Sequence, residues 1–110
     1  MNEEQKKKLE AASRIGKGMW FKNKTTGKRS CLGTIEDEVY IFVGDYKHLI
    51  QRIHFNPGVS WDGSEFGYRS GYYTFDKTGK RVKWGQYTQF LTEKEYPKLL
   101  VKAKEKGWLI

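Results

Sequence analysis

The sequence predicts an α+β fold: an antiparallel curved sheet or partly open barrel of about six strands, with a short N-terminal helix and a C-terminal helix. Three observations carry this. Apolar and aromatic runs of strand length fill residues 19–90, glycine-containing turn signals separate them, and helical spacing with capping residues occurs only at the two ends. The 110 residues fit a helical arm over 1–16 and one α+β domain over 17–110.

The first helix is expected over residues 2–14. Asn2 can cap it, Gln5 stands where a capping-box partner reaches back, and Gly16 and Gly18 end it. Its apolar stripe, Leu9, Ala12 and Ile15, is thin, so an isolated helix here would be marginal. From Met19 the period becomes that of strands. MWFKN and RSCLGTI flank a hairpin turn, NKTTGK, and Glu36-Asp37-Glu38 reads as a second turn. VYIFV, residues 39–43, is the most continuous apolar run and reads as a buried strand. Gly44-Asp45 turns the chain again, and residues 47–55 read as a strand or a short helix. Residues 56–66 form the longest loop. Residues 66–75 and 81–90 form the clearest hairpin, joined by DKTGK, whose chemistry repeats that of NKTTGK.

The C-terminal helix has several agreeing signals. Thr92 and Glu95 form a capping box, Leu91 and Tyr96 a hydrophobic staple, and Tyr96, Leu99, Leu100 and Ala103 the apolar stripe. Gly107 is the stop and Trp108 an anchor that folds back. Pro97 is discordant, because a proline one turn inside a helix removes a backbone bond and bends it.

Charge and composition narrow the function classes. The net charge is +8, concentrated in residues 17–34, with five basic and no acidic groups, and in residues 70–91, with four basic and one acidic. Such a balance favours polyanionic partners. No apolar run is long enough to insert in a membrane, the charged N-terminus lacks the apolar stretch of a secretory leader, and a cytoplasmic location is expected. The single cysteine, Cys31, cannot close a disulfide within the chain.

The candidate site comes from a register argument on the second hairpin. If DKTGK closes with Asp76 opposite Lys80, one side of the ribbon carries Phe66, Phe90, Tyr72, Trp84, Thr74 and Val82 and covers the core. The other side pairs Arg69 with Tyr87, Gly71 with Gly85, Tyr73 with Lys83 and Phe75 with Arg81. Rings interleaved with cations suit an unpaired strand, since stacking contributes about 1–3 kcal/mol per base and cations hold the phosphates. The facing glycines leave a gap for a flat group. Lys94, Lys98 and Lys102, continued by Lys106, add a basic ridge on the last helix, and Trp61 in the long loop is a stacking candidate for a base or a sugar. The expected function is therefore non-catalytic nucleic-acid binding, of single strands or RNA. A protein-interaction module using a sheet edge is one alternative, and a small-ligand or carbohydrate binder built on Trp61 is another.

No cofactor and no metal site are expected. His48 and His54 on one strand would stand about 20 Å apart at the usual rise per residue. No phosphate loop, nucleophile elbow or zinc motif is present. Residues 18–34, GMWFKNKTTGKRSCLGT, resemble the opening hairpin of GIY-YIG nucleases, with Gly18-Met19-Trp20 and Cys31-Leu32-Gly33 at the two tripeptides. That resemblance implies a metal-dependent nuclease, and apart from it Glu36, Asp37 and Glu38 are acids that could attract a divalent cation. Trp20 and Cys31 replace the family's two tyrosines, and the acidic, strand-like TIEDEVYIFVG follows where that family has a helix with an arginine. RSGYYTF, residues 69–75, differs from the RNP1 strand of RNA-recognition motifs by an intervening serine and a second tyrosine, and is not assigned to it.

Overall fold

A computed structural model of the chain describes residues 1–86 and 89–108. The fold is α+β, with an N-terminal helix, one antiparallel five-stranded sheet and a C-terminal helix. The elements are α1 (Glu3–Ala11), β1 (Gly18–Lys22), β2 (Arg29–Val43), β3 (Tyr46–Phe55), β4 (Phe66–Phe75), β5 (Val82–Gly85) and α2 (Glu95–Glu105), and the strands are ordered β1-β2-β3-β4-β5. Residues 29–35 and 39–43, expected as two strands, are one strand of 15 residues. Glu36-Asp37-Glu38 is no turn. Glu38 is buried, and its Oε2 accepts a 2.7 Å hydrogen bond from Gln51 Nε2, which removes the need for solvent that made the triplet look like a turn. By residue contacts the chain forms two compact units, one of residues 1–13, 39–50 and 70–110, the other of 14–38 and 51–69.

In the first unit, α1 is capped as its sequence implies. Asn2 accepts from the Gln5 N–H at 2.8 Å, and Gln5 Oε1 accepts from the Asn2 N–H at 3.0 Å. Packing supplies what the thin stripe lacks. Leu9 is fully buried with Leu49 and Tyr73, which is worth about 1.5–3 kcal/mol. Gln5 Nε2 donates to the Gly79 carbonyl at 2.9 Å. Lys47, itself buried, donates to the Glu10 and Ala12 carbonyls at 2.9 and 2.6 Å, so a cation closes the C-terminal end of α1.

The α2 segment also follows its caps. The Thr92 N–H donates to Glu95 Oε1 at 3.0 Å, and Thr92 Oγ1 accepts from the Glu95 N–H at 3.2 Å. The Tyr96 N–H reaches the Thr92 carbonyl at 2.9 Å, and the regular helix, Glu95–Glu105, runs on through Pro97. At the other end Gly107 has φ +83°, the Trp108 N–H reaches the Ala103 carbonyl at 3.0 Å and the Gly107 N–H that of Lys104 at 2.9 Å. This Schellman closure returns Trp108 onto Val39, Ile50, Leu99 and Ala103. β3 feeds both clusters: Leu49 packs with α1, and Ile50, one residue on, packs with α2. Helices on both sides explain the unbroken buried run Lys47–Ile50, which has no clean strand period.

In the second unit β1 pairs with β2 from Gly18 opposite Thr34 to Lys22 opposite Arg29, with a bulge between Met19 and Trp20. Its turn holds Gly27 left-handed at φ +72°, and Asn23 Oδ1 accepts from the N–H groups of Thr25 and Thr26. The residues after Thr34 continue as strand, where GIY-YIG nucleases have a helix. Ile35 and Ile53 are buried, and Gln51 links Glu38 to Arg69, whose Nε and Nη2 donate to Gln51 Oε1 at 2.9 and 2.6 Å.

The second hairpin corrects the expected register. Tyr72 lies opposite Gly85, Tyr73 opposite Trp84, Thr74 opposite Lys83 and Phe75 opposite Val82. Gly79 is left-handed at φ +70°, as expected, and its N–H reaches the Asp76 carbonyl at 3.0 Å, but the strands close with the Asp76 N–H on the carbonyl of Arg81 at 2.9 Å. Lys80 therefore belongs to the loop. One extra loop residue shifts the partner strand by one position and exchanges its faces.

Candidate nucleic-acid interface

The face expected to be wet is the covered one. Tyr73 is 4% exposed and packs on Leu9 and Leu49, its ring edge-on to Trp84 at 5.2 Å. Phe75 is half-buried against the same cluster and lies opposite Val82, not Arg81. Lys83 is exposed but opposite Thr74. Arg81 is exposed. Arg69 lies in the other unit, its guanidinium engaged by Gln51. Tyr87 lies outside the described residues. Gly71 and Gly85 do not face each other and leave no gap: a side chain at Gly71 would collide with the Trp84 ring, and one at Gly85 with the Tyr72 ring. The structure does not assemble the expected row of ring–cation pairs.

Other rings gather at a cleft, Tyr46 and Phe90 exposed, Tyr72 half-buried and His48 buried. Tyr46, His48, Tyr72 and Phe90, with Val43, line a cleft of about 400 Å³ in the first unit. The Gly44-Asp45 turn, with Gly44 at φ +57°, starts β3 at Tyr46, and the strand period then brings His48 to the same side. The Tyr46 and His48 rings stack at 5.7 Å with 20° between planes, and Tyr72 stands edge-on to Tyr46 at 5.4 Å. Phe90 is 83% exposed at the margin, where the expected register had turned it inward. Gln89 Nε2 donates to the Gly71 carbonyl at 2.7 Å and lies 3.3 Å from His48 Nδ1. With that amide donating, Nδ1 accepts and the neutral ring carries its proton on Nε2. Burial lowers the His48 pKa, and the Glu95 carboxylate opposes the shift. Glu95, in the first turn of α2, is thus close enough to be felt at the cleft.

Lys94, Lys98 and Lys102 are all exposed on α2, as is Lys106. Lys102 Nζ lies 5.5 Å from the centre of the Tyr40 ring, and Tyr40 meets Phe42 edge-on at 5.5 Å; both rings are exposed. The ridge therefore reaches a second pair of open rings at Lys102. Sequence reasoning missed Tyr46, Tyr72 and Phe90 as site residues because the face of the ribbon was assigned from one assumed loop length. The signal was nonetheless present in Val43-Gly44-Asp45-Tyr46-Lys47-His48, where a two-residue turn fixes which residues flank it.

In the second unit Trp61 is 97% exposed, at the lip of a groove of about 450 Å³ whose lining includes Leu32, Phe55, Val59, Phe66 and Tyr68. His54 Nε2 lies 3.2 Å from Glu65 Oε1, and both are exposed. Cys31 is half-exposed and donates weakly to the Gly33 carbonyl. Among the described residues no group of three or more His, Cys, Asp or Glu could hold a metal ion, and no helix is long and apolar enough to cross a membrane. No protein-family profile matches the chain, and neither does any curated protein or solved structure.

Proposed function

We propose that the protein is a non-catalytic nucleic-acid-binding module that takes an unpaired strand. A base would enter the cleft of Tyr46, His48, Tyr72 and Phe90, and the neighbouring phosphates would follow Lys94, Lys98 and Lys102. Two observations support this reading: a cleft with Tyr46 and Phe90 exposed on its lining, and an exposed lysine ridge along α2, in a chain of net charge +8. Open rings stack on any base, and lysines release counterions from the backbone. A duplex keeps its bases stacked inside and has nothing to offer the cleft.

Fluorescence anisotropy with a labelled single-stranded oligonucleotide, titrated across salt, tests the reading. Phe90→Ala and Tyr46→Ala should each weaken binding by about 1–3 kcal/mol with little change in salt slope. Replacing Lys94, Lys98 and Lys102 together by alanine should lower the slope of log K against log salt by about 2. Duplex binding as tight as single-strand binding, or indifference to both sets of changes, would overturn the reading.

A further inference from the structure

The exposed Trp61 is held out by a built loop. Asp62 Oδ1 accepts from Ser60 Oγ at 2.6 Å and from the Ser64 N–H at 2.9 Å. Asn56 anchors the loop base to β2, its N–H on the Leu32 carbonyl and its Nδ2 on that of Cys31, both at 2.9 Å. Gly58 and Gly63 take left-handed turns at φ +77° and +78°. A tryptophan presented on so many hydrogen bonds binds without the entropy cost of ordering a loop.

The groove beneath is built for rings. At Gly67 a side chain would collide with the Phe55 ring, so the missing Cβ lets that ring lie against β4. Phe55, Trp61, Phe66 and Tyr68 give the lining its aromatic character. Its charge runs against the rest of the molecule. In a chain of net charge +8, Asp62 is, among the described residues, the only carboxylate or cationic side chain in the lining. Hydrogen bonds from Ser60 and Ser64 hold that carboxyl far below the usual carboxylate range, so it stays anionic at every ordinary pH. Rings of this unit take cations on their faces: Arg52 lies 4.0 Å from the centre of Phe66, which also stacks on His54, and Arg29 lies 5.1 Å from that of Trp20, so the exposed rings left to a ligand in the groove are Trp61 and Tyr68.

Aromatic faces beside one carboxylate recognise a cation with an apolar shell. An ordinary ammonium could give an N–H to Asp62 but would turn its others toward rings that accept poorly, whereas an alkylated one has few or none to satisfy. We propose that the Trp61 groove binds a methylated, preferentially quaternary, ammonium group. This site shares no residue with the cleft proposed for nucleic acid and stands or falls separately.

The test is ligand-observed NMR, with saturation transferred from the full chain to the N-methyl protons of choline and of N-acetyl-trimethyllysine methylamide. The control is 3,3-dimethylbutan-1-ol, the neutral carbon counterpart of choline. Saturable transfer to either cation, with none or far less to the alcohol, supports the proposal, and the tighter cation identifies the source as a free small molecule or a modified side chain. Trp61→Ala should abolish transfer. Asp62→Asn, whose amide oxygen can still accept from Ser60 and Ser64, should weaken binding roughly tenfold. Equal binding of the alcohol, absence of transfer from both cations, or transfer that survives Trp61→Ala overturns it.

Discussion

Tyr72 and Tyr73 are adjacent tyrosines on opposite faces of β4, and the structure gives them very different energetic weight. Tyr73 is buried on Leu9 and Leu49 and meets Trp84 edge-on at 5.2 Å. Truncating a buried ring of this size to alanine costs about 3–5 kcal/mol, the lost burial and the cavity adding. Tyr72 is half-buried, lies over Gly85 and meets Tyr46 edge-on at 5.4 Å. Its truncation removes partial burial and one aromatic contact, about 1–2 kcal/mol. A domain of this size holds about 5–15 kcal/mol in all, so Tyr73→Ala approaches the limit of folding. Tyr73→Leu, which keeps much of the apolar volume, should cost about 1–2 kcal/mol and remains measurable if the alanine variant does not fold. Urea unfolding followed by far-ultraviolet circular dichroism reads the difference. With a slope near 1.5 kcal/mol per molar urea, the midpoint should fall by about 2–3 M for Tyr73→Ala and about 1 M for Tyr72→Ala. If Tyr72→Ala cost as much as Tyr73→Ala, or more, the register with Asp76 closing on Arg81 would be wrong, and the face argument with it.

Other outcomes follow from the same packing. Burial places the His48 pKa below its ordinary 6.5, so the unfolded chain takes up the proton first. Stability should hold above about pH 6.5 and fall as pH drops from there toward the folded value, and His48→Gln should remove that slope in urea midpoints measured against pH. Glu95→Gln removes the group that opposes the shift and should steepen the loss. Gly71→Ala drives a methyl into the Trp84 ring and should lower stability by about 1–3 kcal/mol in a thermal melt. Trp108→Ala removes the buried anchor that closes α2 and should cost about 3–5 kcal/mol, read by the same urea titration.

What the sequence made legible was local. Asn2 with Gln5, Thr92 with Glu95, and Gly107 with Trp108 each act within one turn of themselves, and the helix ends follow them. Thr-Gly-Lys in both hairpin loops gives the same geometry, a left-handed glycine with the threonine hydroxyl accepting from the lysine N–H, at 3.3 Å in one loop and 3.2 Å in the other. What failed depended on distant partners or on one residue of loop length. Nothing near Glu38 says that Gln51 will satisfy it, so an acidic triplet inside a strand looked like a turn. DKTGK fits a loop of three residues or of four, and the choice decides whether Tyr73 or Tyr72 faces the core. The thin stripe of α1 gave no sign that Lys47 would cap its far end, because that contact spans more than thirty positions, as its sequence separations of 35 and 37 show.

The buried strand faces also decide where a partner can act. A sheet that reads nucleic acid across its surface needs one face without a cover. Here Leu49 and Tyr73 are taken by α1, and Val39 and Ile50 by α2, so the central strands of the first unit have no such face to give. Recognition in that unit must therefore use margins: a cleft at a strand end, a ridge along a helix, rings at an edge. The exposed aromatics fall at those margins, with Tyr46 beside the Gly44-Asp45 turn, Phe90 between β5 and α2, and Tyr40 under the lysine ridge. A margin presents few rings at once, so it suits one or two unstacked bases, with affinity left largely to the lysines. The proposed reading thus commits to a module with a small stacking term and a strong salt dependence, and a long, salt-insensitive footprint on nucleic acid would refute it.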